Sequence, residues 1–283
     1  MVERLKKAID KARAHREQVL AGAVPPSVGP EERPRDPVEA AAPADSSPWA
    51  ALEEVTLDVA HLKRRRVVSY QKNDPAHVVF DVLRTRLLKV FKDNGWSRIA
   101  ITSPTRGCGK TFVAANLAFS LARQAECRTV LIDMDLRLPE LASTLGLTTP
   151  HSIECYLTGE TRPEAYFRRV GPNLALGLNT ERVRDSAELI QDECTAQALA
   201  RMCDLYRPSA VIYDLPPMLV GDDAIGFLPQ IDCVLLIAAA GQTKAAEIEE
   251  CERLLGETTN FLGVLLNKCE VKASDAYQYG YYS

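Results

Sequence analysis

The stretch RIAITSPTRGCGKTFVAANLAFSLARQ, residues 98–124, decides the fold of this chain. It begins with β-branched and apolar residues that predict a buried strand over Arg98–Thr102. A turn with two glycines, a lysine and a threonine follows, and Val113, Leu117 and Leu121 then recur at helical spacing. A strand, a glycine-containing turn and a helix in this order are the context in which a loop binds phosphate.

The turn carries the residue types that phosphate binding requires. Gly107 and Gly109 let the backbone curl so that its N–H groups point inward, and the start of the helix adds a positive dipole there. Lys110 can reach the terminal phosphates of a nucleotide, and the Thr111 hydroxyl can ligate magnesium. Pro104 stands where the general pattern has its first glycine, so the flanking strand and helix carry much of the prediction.

Acidic residues end two further predicted strands, Thr129–Asp133 and Ala210–Asp214. The carboxyl ends of parallel strands share one edge of a sheet, so Asp133, Asp135 and Asp214 are expected beside the phosphate loop. Three carboxylates would repel a triphosphate unless Mg²⁺ lay between them, which predicts ATP and Mg²⁺ as ligands. Taken alone, any one of these aspartates could equally be a helix cap.

Strand-like and helix-like segments alternate along the rest of the chain. Cys233–Ala239 and Leu262–Leu266 complete the predicted strands, and each strand has a helical pattern beside it. This alternation predicts an α/β fold of three layers, with a mostly parallel sheet flanked by helices.

The two ends of the chain differ in composition from its middle. Residues 1–22 predict a polar helix, and residues 23–66 predict a disordered proline-rich linker that ends in a basic segment. Residues 67–271 then form the predicted globular domain, and residues 272–283 a flexible tail rich in tyrosine.

Composition excludes several classes of protein. The chain is 46% hydrophobic and 25% charged with a net charge of -4, so it has no general basic field and no nucleic-acid partner is expected. No run approaches the roughly 18 apolar residues of a membrane-spanning helix, and the first residues lack a signal-peptide core. The eight cysteines contain no Cys-x-x-Cys pair, which favours reduced thiols and a cytoplasmic protein.

Three motifs together resemble those of a known family. The loop Ser103–Thr111, the strand end Asp133-x-Asp135-x-Arg137 and the strand end Asp214-Leu215-Pro216-Pro217 are similar to Walker A, Walker A' and Walker B of bacterial tyrosine kinases. These are cytoplasmic autokinases of the CpsD/CapB type that act in capsule and exopolysaccharide assembly. The likeness extends over about residues 74–270, in motifs that include Asp135–Pro139, Ser186–Ile190, Asp222–Ala224 and Leu266–Lys268.

The resemblance implies a P-loop NTPase fold of the MinD/ParA kind and roles for individual residues. The implied ATP site consists of Arg106, Gly107, Cys108, Gly109, Lys110, Thr111, Phe112 and Asn267. The implied magnesium ligands are Thr111, Asp133, Asp135 and Asp214, with Asp133 as the predicted base that deprotonates a tyrosine hydroxyl. Asn267 would read the adenine edge or serve as a strand-end cap, and Cys108 would be either a silent small residue or an oxidation-sensitive thiol.

A cluster of tyrosines at the end of the chain supports the resemblance. Tyr277, Tyr279, Tyr281 and Tyr282 are four of the nine tyrosines, and they follow a segment without apolar periodicity. Such a density of tyrosine in a terminus has no packing rationale, whereas an exposed tail can enter an active site. In the family this cluster is the autophosphorylation substrate, usually of a neighbouring subunit; a tail that folds back as an aromatic anchor is the alternative.

The resemblance also implies partners. It predicts self-association, protein-tyrosine substrates and a transmembrane polysaccharide chain-length regulator, a Wzz-like activator that would recruit the chain to the inner membrane. The family assembles rings through a Glu-x-x-Arg-x-x-Arg helix, but this chain has Val78, Asp81 and Arg84 at those positions. Ring formation is therefore not predicted with the rest.

Two other functions are compatible with the same loop. A partitioning or positioning ATPase of the MinD/ParA kind would place a second lysine where this chain has Thr105, and MinD-like proteins end in an amphipathic helix rather than in Tyr-Gly-Tyr-Tyr-Ser. A regulatory subunit that binds ATP with little catalysis would carry the same residues, since misplacement by about 1 Å suffices to suppress chemistry.

Overall fold

The computed structural model of the chain describes residues 47–71 and 74–269. The predicted N-terminal helix over residues 1–22 and the predicted tail over residues 272–283 lie outside the described residues. In the described part of the chain, no helix combines the length and apolar character needed to cross a bilayer.

The described residues form a mostly parallel sheet with helices on both faces, as predicted. The strands are β1 Glu53–Glu54, β2 Arg98–Thr102, β3 Thr129–Asp133, β4 Arg168–Val170, β5 Leu174–Gly177, β6 Ala210–Asp214, β7 Cys233–Ala239 and β8 Asn260–Asn267. The α-helices are α1 Val59–Arg64, α2 His77–Asn94, α3 Lys110–Ala122, α4 Leu141–Leu145, α5 Ile153–Leu157, α6 Pro163–Tyr166, α7 Ser186–Gln191, α8 Glu193–Tyr206, α9 Asp223–Phe227 and α10 Ala245–Gly256.

The sheet has the strand order β1-β4-β5-β3-β6-β2-β7-β8. All pairs are parallel except β4 with β5, which are antiparallel. The five predicted strands are confirmed, and β8 is longer than predicted at both ends. Strand β2 lies between β6 and β7, so the loop that follows it emerges at the middle of the sheet, where the strand order changes direction and α/β sheets bind ligands.

Hydrophobic cores lie on both faces of the sheet because successive strand residues point to opposite sides. In β2, Ile99 and Ile101 pack into one core and Ala100 packs into the other. Helix α3 lies in the first of these cores, where Leu117 and Leu121 are fully buried. Burial of each such side chain contributes about 1.5–3 kcal/mol, so the helix that begins at the phosphate loop is firmly anchored.

The start of the folded region differs from the prediction. The prediction of a disordered linker is wrong for residues 47–66, because the side chains of Trp49, Leu52, Leu57 and Leu62 are buried. The Trp49 Nε1 donates a hydrogen bond of 2.8 Å to a backbone carbonyl, and β1 extends the sheet beside β4. The proline-rich composition ends at residue 48, and the apolar residues after it are numerous enough to offset the cost of ordering the chain.

Candidate functional site

The phosphate loop joins β2 to α3 at the centre of the sheet edge. Gly107 and Gly109 have φ values of +78° and +92°, the left-handed region that glycine adopts without strain. A Cβ at Gly109 would also lie 2.3 Å from the Asn267 Nδ2, so this position has no room for a side chain. The loop thus needs glycine at both positions that the sequence indicated.

The Cys108 side chain packs inside the loop and does not face solvent. It is 2% exposed, and its Sγ lies 3.3 Å from the Thr105 carbonyl oxygen and 3.6 Å from the Thr243 hydroxyl. Cys108 therefore holds the loop against the end of β7, and its backbone carbonyl accepts a hydrogen bond of 2.9 Å from the Asn267 amide.

The predicted acidic residues converge on Lys110. The Lys110 Nζ lies 2.8 Å from an oxygen of Asp135 and 3.7 Å from an oxygen of Asp214. Asp133 is the register partner of Asp214 on the neighbouring strand, so its carboxylate belongs to the same group. Asp133 and Asp214 are fully buried and Asp135 is 4% exposed. The structure thus brings together four residues that the sequence placed at one edge of the sheet.

Asp133 is oriented by the backbone. One of its carboxylate oxygens accepts a hydrogen bond from the Asp135 N–H at 3.2 Å, and the other accepts one from the Leu141 N–H at 3.0 Å. These two bonds fix the turn that carries Asp135 past the end of β3. Asp135 itself accepts a hydrogen bond from the Leu138 N–H at 3.1 Å, which leaves its second oxygen to Lys110.

Burial and mutual repulsion disfavour the ionised form of two carboxylates in this group, Asp133 and Asp214. Burial raises the pKa of Asp214 to about 6, despite the opposing charge of Lys110 and the nearby Thr111 hydroxyl. Burial and the charge of Asp214 also raise the pKa of Asp133 well above its ordinary value. For Lys110, burial lowers the pKa, but the surrounding carboxylates outweigh it and raise the pKa above its ordinary value.

The residues present suit a hard divalent cation. Neither carboxylate oxygen of Asp214 has a hydrogen-bond partner among the described residues, although both are buried. Carboxylate oxygens that accept no hydrogen bond, beside the Thr111 hydroxyl, are the kind of oxygen ligand that Mg²⁺ prefers. In the part of the chain that the structure describes, no group of three or more histidine, cysteine or acidic residues is arranged to hold a metal ion. That is consistent with Mg²⁺, which is usually held by one or two carboxylates, water and phosphate.

A cleft of about 80 Å³ opens above the group. Its lining residues are Arg106, Gly107, Lys110, Asp135, Arg137, Leu138, Glu140, Pro216, Pro217, Val220, Gly221 and Asp223. Asp135 and Lys110 therefore line the cleft, whereas Asp133 and Asp214 do not line it. Sequence reasoning assigned no role to Arg137 or Asp223, although both belong to motifs that the resemblance singled out.

Phe112 and Asn267, two further predicted nucleotide contacts, do not line the cleft. The Phe112 ring packs edge-on against Phe80, with ring centroids 5.7 Å apart, so only its backbone in the first turn of α3 is left for a nucleotide. Asn267 ends β8 and ties that strand to the loop through Cys108. The tyrosines Tyr277, Tyr279, Tyr281 and Tyr282 lie outside the described residues.

Helix α2, which aligns with the helix that the resembled kinases use to form rings, makes its polar contacts within this chain. Arg84 donates to Asp81 at 2.9 Å and to the Ser120 carbonyl at 3.0 Å, and Arg123 also pairs with Asp81. Arg84 is thereby committed to packing α2 on α3. Val78 is 49% exposed, so an apolar surface replaces the acidic residue of the family's helix.

Comparisons with known proteins agree with this geometry. The family model for the CobQ/CobB/MinD/ParA nucleotide-binding domain matches residues 99–280. The tyrosine-protein kinase Etk of Escherichia coli K12 is 30% identical over 208 residues, which are 73% of this chain and 28% of Etk. The tyrosine-protein kinase CpsD of Streptococcus agalactiae is 27% identical over 206 residues, which are 72% of this chain and 88% of CpsD.

Solved structures show the same likeness. The kinase domain of Escherichia coli Etk superposes with a TM-score of 0.67 at 28% identity, covering 76% of this chain and 84% of that domain. MinD of Pyrococcus horikoshii, solved with Mg-ADP, has a TM-score of 0.53 at 17% identity over 65% of this chain and 76% of MinD, which shows a shared fold. The chain therefore belongs to the CobQ/CobB/MinD/ParA nucleotide-binding family, and its predicted resemblance to the bacterial tyrosine kinases is confirmed.

Proposed function

We propose that this chain is an ATP-dependent protein-tyrosine autokinase. The observation that carries the proposal is the pairing of Lys110 with Asp135 and Asp214 directly beside a glycine loop that begins a helix. This arrangement supplies a cation for phosphate, carboxylates for a metal and an acidic group near the reacting atoms. The tyrosine-protein kinases similar to the chain support the same reading, although the chain spans only 28% of the length of Etk.

In this function, the loop amides and Lys110 hold the phosphates of ATP. Thr111, Asp135 and Asp214 would hold Mg²⁺, which would neutralise phosphate charge. Phosphate entering the loop also competes for Lys110, so the nucleotide would loosen the ion pair of 2.8 Å between Lys110 and Asp135. The cleft therefore changes its internal pairing when its substrate binds.

The transfer is an in-line displacement at phosphorus. The tyrosine oxygen forms the new bond to the γ-phosphorus, the bond from that phosphorus to the bridging oxygen breaks, and ADP leaves with the electron pair. The phenolic proton passes to a carboxylate, for which we propose Asp133. Its raised pKa makes it a stronger base than an ordinary carboxylate, and its two backbone hydrogen bonds keep it in one orientation.

The proposed acceptors are Tyr277, Tyr279, Tyr281 and Tyr282, presented by a second copy of the chain. Other proteins with exposed tyrosines would be further substrates. We further propose that a transmembrane chain-length regulator activates the chain and recruits it from the cytoplasm to the inner membrane. Phosphorylation would then regulate polymerisation and export of an exopolysaccharide or capsule.

The test is incubation of the full chain with Mg-ATP, alone and with the cytosolic segment of candidate chain-length regulators, followed by phosphotyrosine detection. We expect label on the full chain and its loss when the chain ends before Tyr277. Label that persists in the shortened chain would contradict the tail as the main acceptor. ATP turnover stimulated by lipid or DNA, without tyrosine label, would instead favour a MinD/ParA-like ATPase.

A further inference from the structure

Three segments far apart in sequence meet at the outer wall of the cleft. The Arg137 Nε lies 2.6 Å from one carboxylate oxygen of Asp223, and the other oxygen of Asp223 accepts a hydrogen bond from the Ser186 hydroxyl. Asp223 is 2% exposed and Ser186 is 1% exposed, whereas the Arg137 side chain is 46% exposed. A buried anchor therefore holds a cation whose other side is open.

The anchor is well fixed. Both oxygens of Asp223 are engaged, one by the α7 residue Ser186 and one by Arg137, so the carboxylate has little freedom to turn. Gly221 leaves the space that the pair occupies, because a Cβ there would lie 3.2 Å from an oxygen of Asp223 and 3.6 Å from the Arg137 Cζ. One side of the guanidinium is thus held against Asp223, and the side chain also lines the cleft.

Arg137 keeps donor capacity beyond this anchor. A guanidinium has five N–H donors in a planar fork, which suits the oxygens of a phosphoryl group. Asp223 takes the Nε side, and Asp222 accepts from Nη2 at 3.3 Å. Asp222 is 69% exposed, so water screens this second pair and a phosphoryl oxygen can displace it at small cost.

Arg137 lies where it can contact a substrate in the cleft. It lines the same cleft as Lys110, Arg106 and Asp135. The ion pair between Asp81 and Arg84, which joins α2 to α3, shields both partners instead: the Asp81 side chain is 23% exposed and the Arg84 side chain 13%. In the pair beside the cleft, Asp223 is buried, whereas the Arg137 side chain is 46% exposed and lines the cleft.

We propose that Arg137 binds a phosphoryl oxygen in this cleft, either on the group in transfer or on the phosphotyrosine product, and that Asp223 and Ser186 are positioning residues for it. The proposal rests on the proposed kinase function and assigns the acceptor side of that same site. Arg137 would stabilise charge on the phosphoryl oxygens while the bond to ADP breaks and the bond to tyrosine forms.

The test measures binding and turnover separately in the full chain. For Arg137→Gln we expect ADP affinity within about twofold of wild type and a kcat for tyrosine phosphorylation lower by about 100-fold or more. If the product phosphoryl is bound, affinity for a phosphotyrosine peptide falls about tenfold while affinity for the unphosphorylated peptide is unchanged. If the γ-phosphoryl of ATP is bound, affinity for a non-hydrolysable ATP analogue falls relative to ADP.

Positioning variants separate this role from a structural one. Asp223→Asn and Ser186→Ala should lower kcat, and the change in kcat should be larger than any change in the KM for ATP. Arg137→Lys should restore part of the activity that Arg137→Gln loses. Arg253→Gln is the matched control, because Arg253 pairs with Glu250 and Glu257 on the exposed face of α10 and should leave all values unchanged.

Two outcomes distinguish failure of this proposal from failure of the kinase function. Unchanged phosphopeptide affinity, analogue affinity and kcat in a folded Arg137→Gln variant would overturn the role of Arg137. Absence of tyrosine phosphorylation in wild type under every condition would overturn the kinase function, while the binding measurements would still report whether Arg137 holds a phosphoryl group. Melting temperatures of all variants show which of them are folded.

Discussion

The two ends of helix α3 carry two charged clusters of opposite balance. At its C-terminal end, a single carboxylate, Asp81, is surrounded by Arg84, Arg123 and the Ser120 hydroxyl. Burial raises the pKa of Asp81, but the hydrogen bond from Ser120 and the arginine charges outweigh it, so the pKa is lowered. These contacts tie α2 to α3, although the Nε atoms of Arg84 and Arg123 are buried without a hydrogen-bond partner among the described residues.

The N-terminal end of α3 has the reverse composition. One cation, Lys110, faces three buried carboxylates, and the pKa values of Asp133 and Asp214 are raised. Both carboxylate oxygens of Asp214 lack a hydrogen-bond partner among the described residues. At the two ends of one helix, then, the cluster that ties α2 to α3 has more cations than carboxylates, which keeps Asp81 ionised. The cluster that we assign to function has more carboxylates than cations and needs a further cation to balance them.

The largest effect should come from removing Lys110, the cation that pairs with the carboxylates at the N-terminal end. Lys110→Met should lower tyrosine phosphorylation by about 10³-fold or more, since both phosphate binding and charge neutralisation depend on Lys110. Arg123→Met at the other end should cost about 1–3 kcal/mol of unfolding free energy and leave activity per folded molecule unchanged. Phosphotyrosine detection and denaturant unfolding measure the two effects, and an active Lys110→Met variant would break the comparison.

A comparison of Asp133→Asn with Asp135→Asn should show how the acids divide their work. We expect Asp133→Asn to lower kcat by about 100-fold or more with nucleotide affinity little changed, because it removes the proposed base. Asp135→Asn should change Mg-nucleotide affinity as well, since Asp135 lines the cleft and pairs with Lys110. Titration with Mg-ADP and steady-state kinetics separate the two. Full activity in Asp133→Asn would show that another residue is the general base.

The pH dependence of stability should have opposite signs at the two ends. The folded-state pKa of Asp214, about 6, lies above the ordinary value near 4, so its contribution to stability is lost as pH rises from about 4 to 6. Asp214→Asn should therefore stabilise the nucleotide-free protein at pH 8 by up to about 3 kcal/mol and have little effect below pH 4.

The lowered pKa of Asp81 works in the other direction. Its contribution is present above its unfolded pKa, near 4, and is lost as pH falls through its folded pKa. Asp81→Asn should therefore destabilise the protein at pH 8. Urea unfolding of both variants from about pH 2 to pH 8 measures the two slopes. Destabilisation by Asp214→Asn at pH 8 would mean that the cleft is already balanced without metal.

The smallest effect concerns the link between β8 and the loop. Asn267→Ala removes one hydrogen bond to the Cys108 carbonyl and should weaken ADP binding by about three- to tenfold, as expected for about 0.5–1.5 kcal/mol. Asn260→Ala, at the other end of the same strand, is the matched control, since its amide bonds to the Asp232 carbonyl away from the loop. Equal effects of the two variants would show that Asn267 acts through the strand rather than through the loop.

Much of the fold could be predicted because its central strands are long apolar runs with helical patterns beside them. Strands β1, β4 and β5 span two to four residues each, too few to show a period, and they were missed. The segment around Trp49 was missed for a different reason: a proline-rich composition was extended past residue 48, where apolar residues resume.

The candidate site divides in the same way. The spacing of Asp133 and Asp135, and the strand that ends at Asp214, were sufficient to place those acids together, because parallel strands end at one edge. The pairing of Arg137 with Asp223, and of Asp223 with Ser186, depends on how segments 37 or more residues apart in sequence meet beside the cleft, which no local pattern encodes. The contact of Asn267 with Cys108 spans 159 residues and is equally invisible in the sequence.

The most direct test of the kinase assignment mixes two disabled forms of the chain. One is the full chain with Lys110→Met, which keeps its tyrosines, and the other is a wild-type chain that ends before Tyr277. With Mg-ATP and an activating regulator segment, mass spectrometry should find phosphate on Tyr277, Tyr279, Tyr281 or Tyr282 of the Lys110→Met chain only in the mixture. Label on the Lys110→Met chain when it is incubated alone, or no label in a mixture under conditions where the intact chain is labelled, would contradict the account.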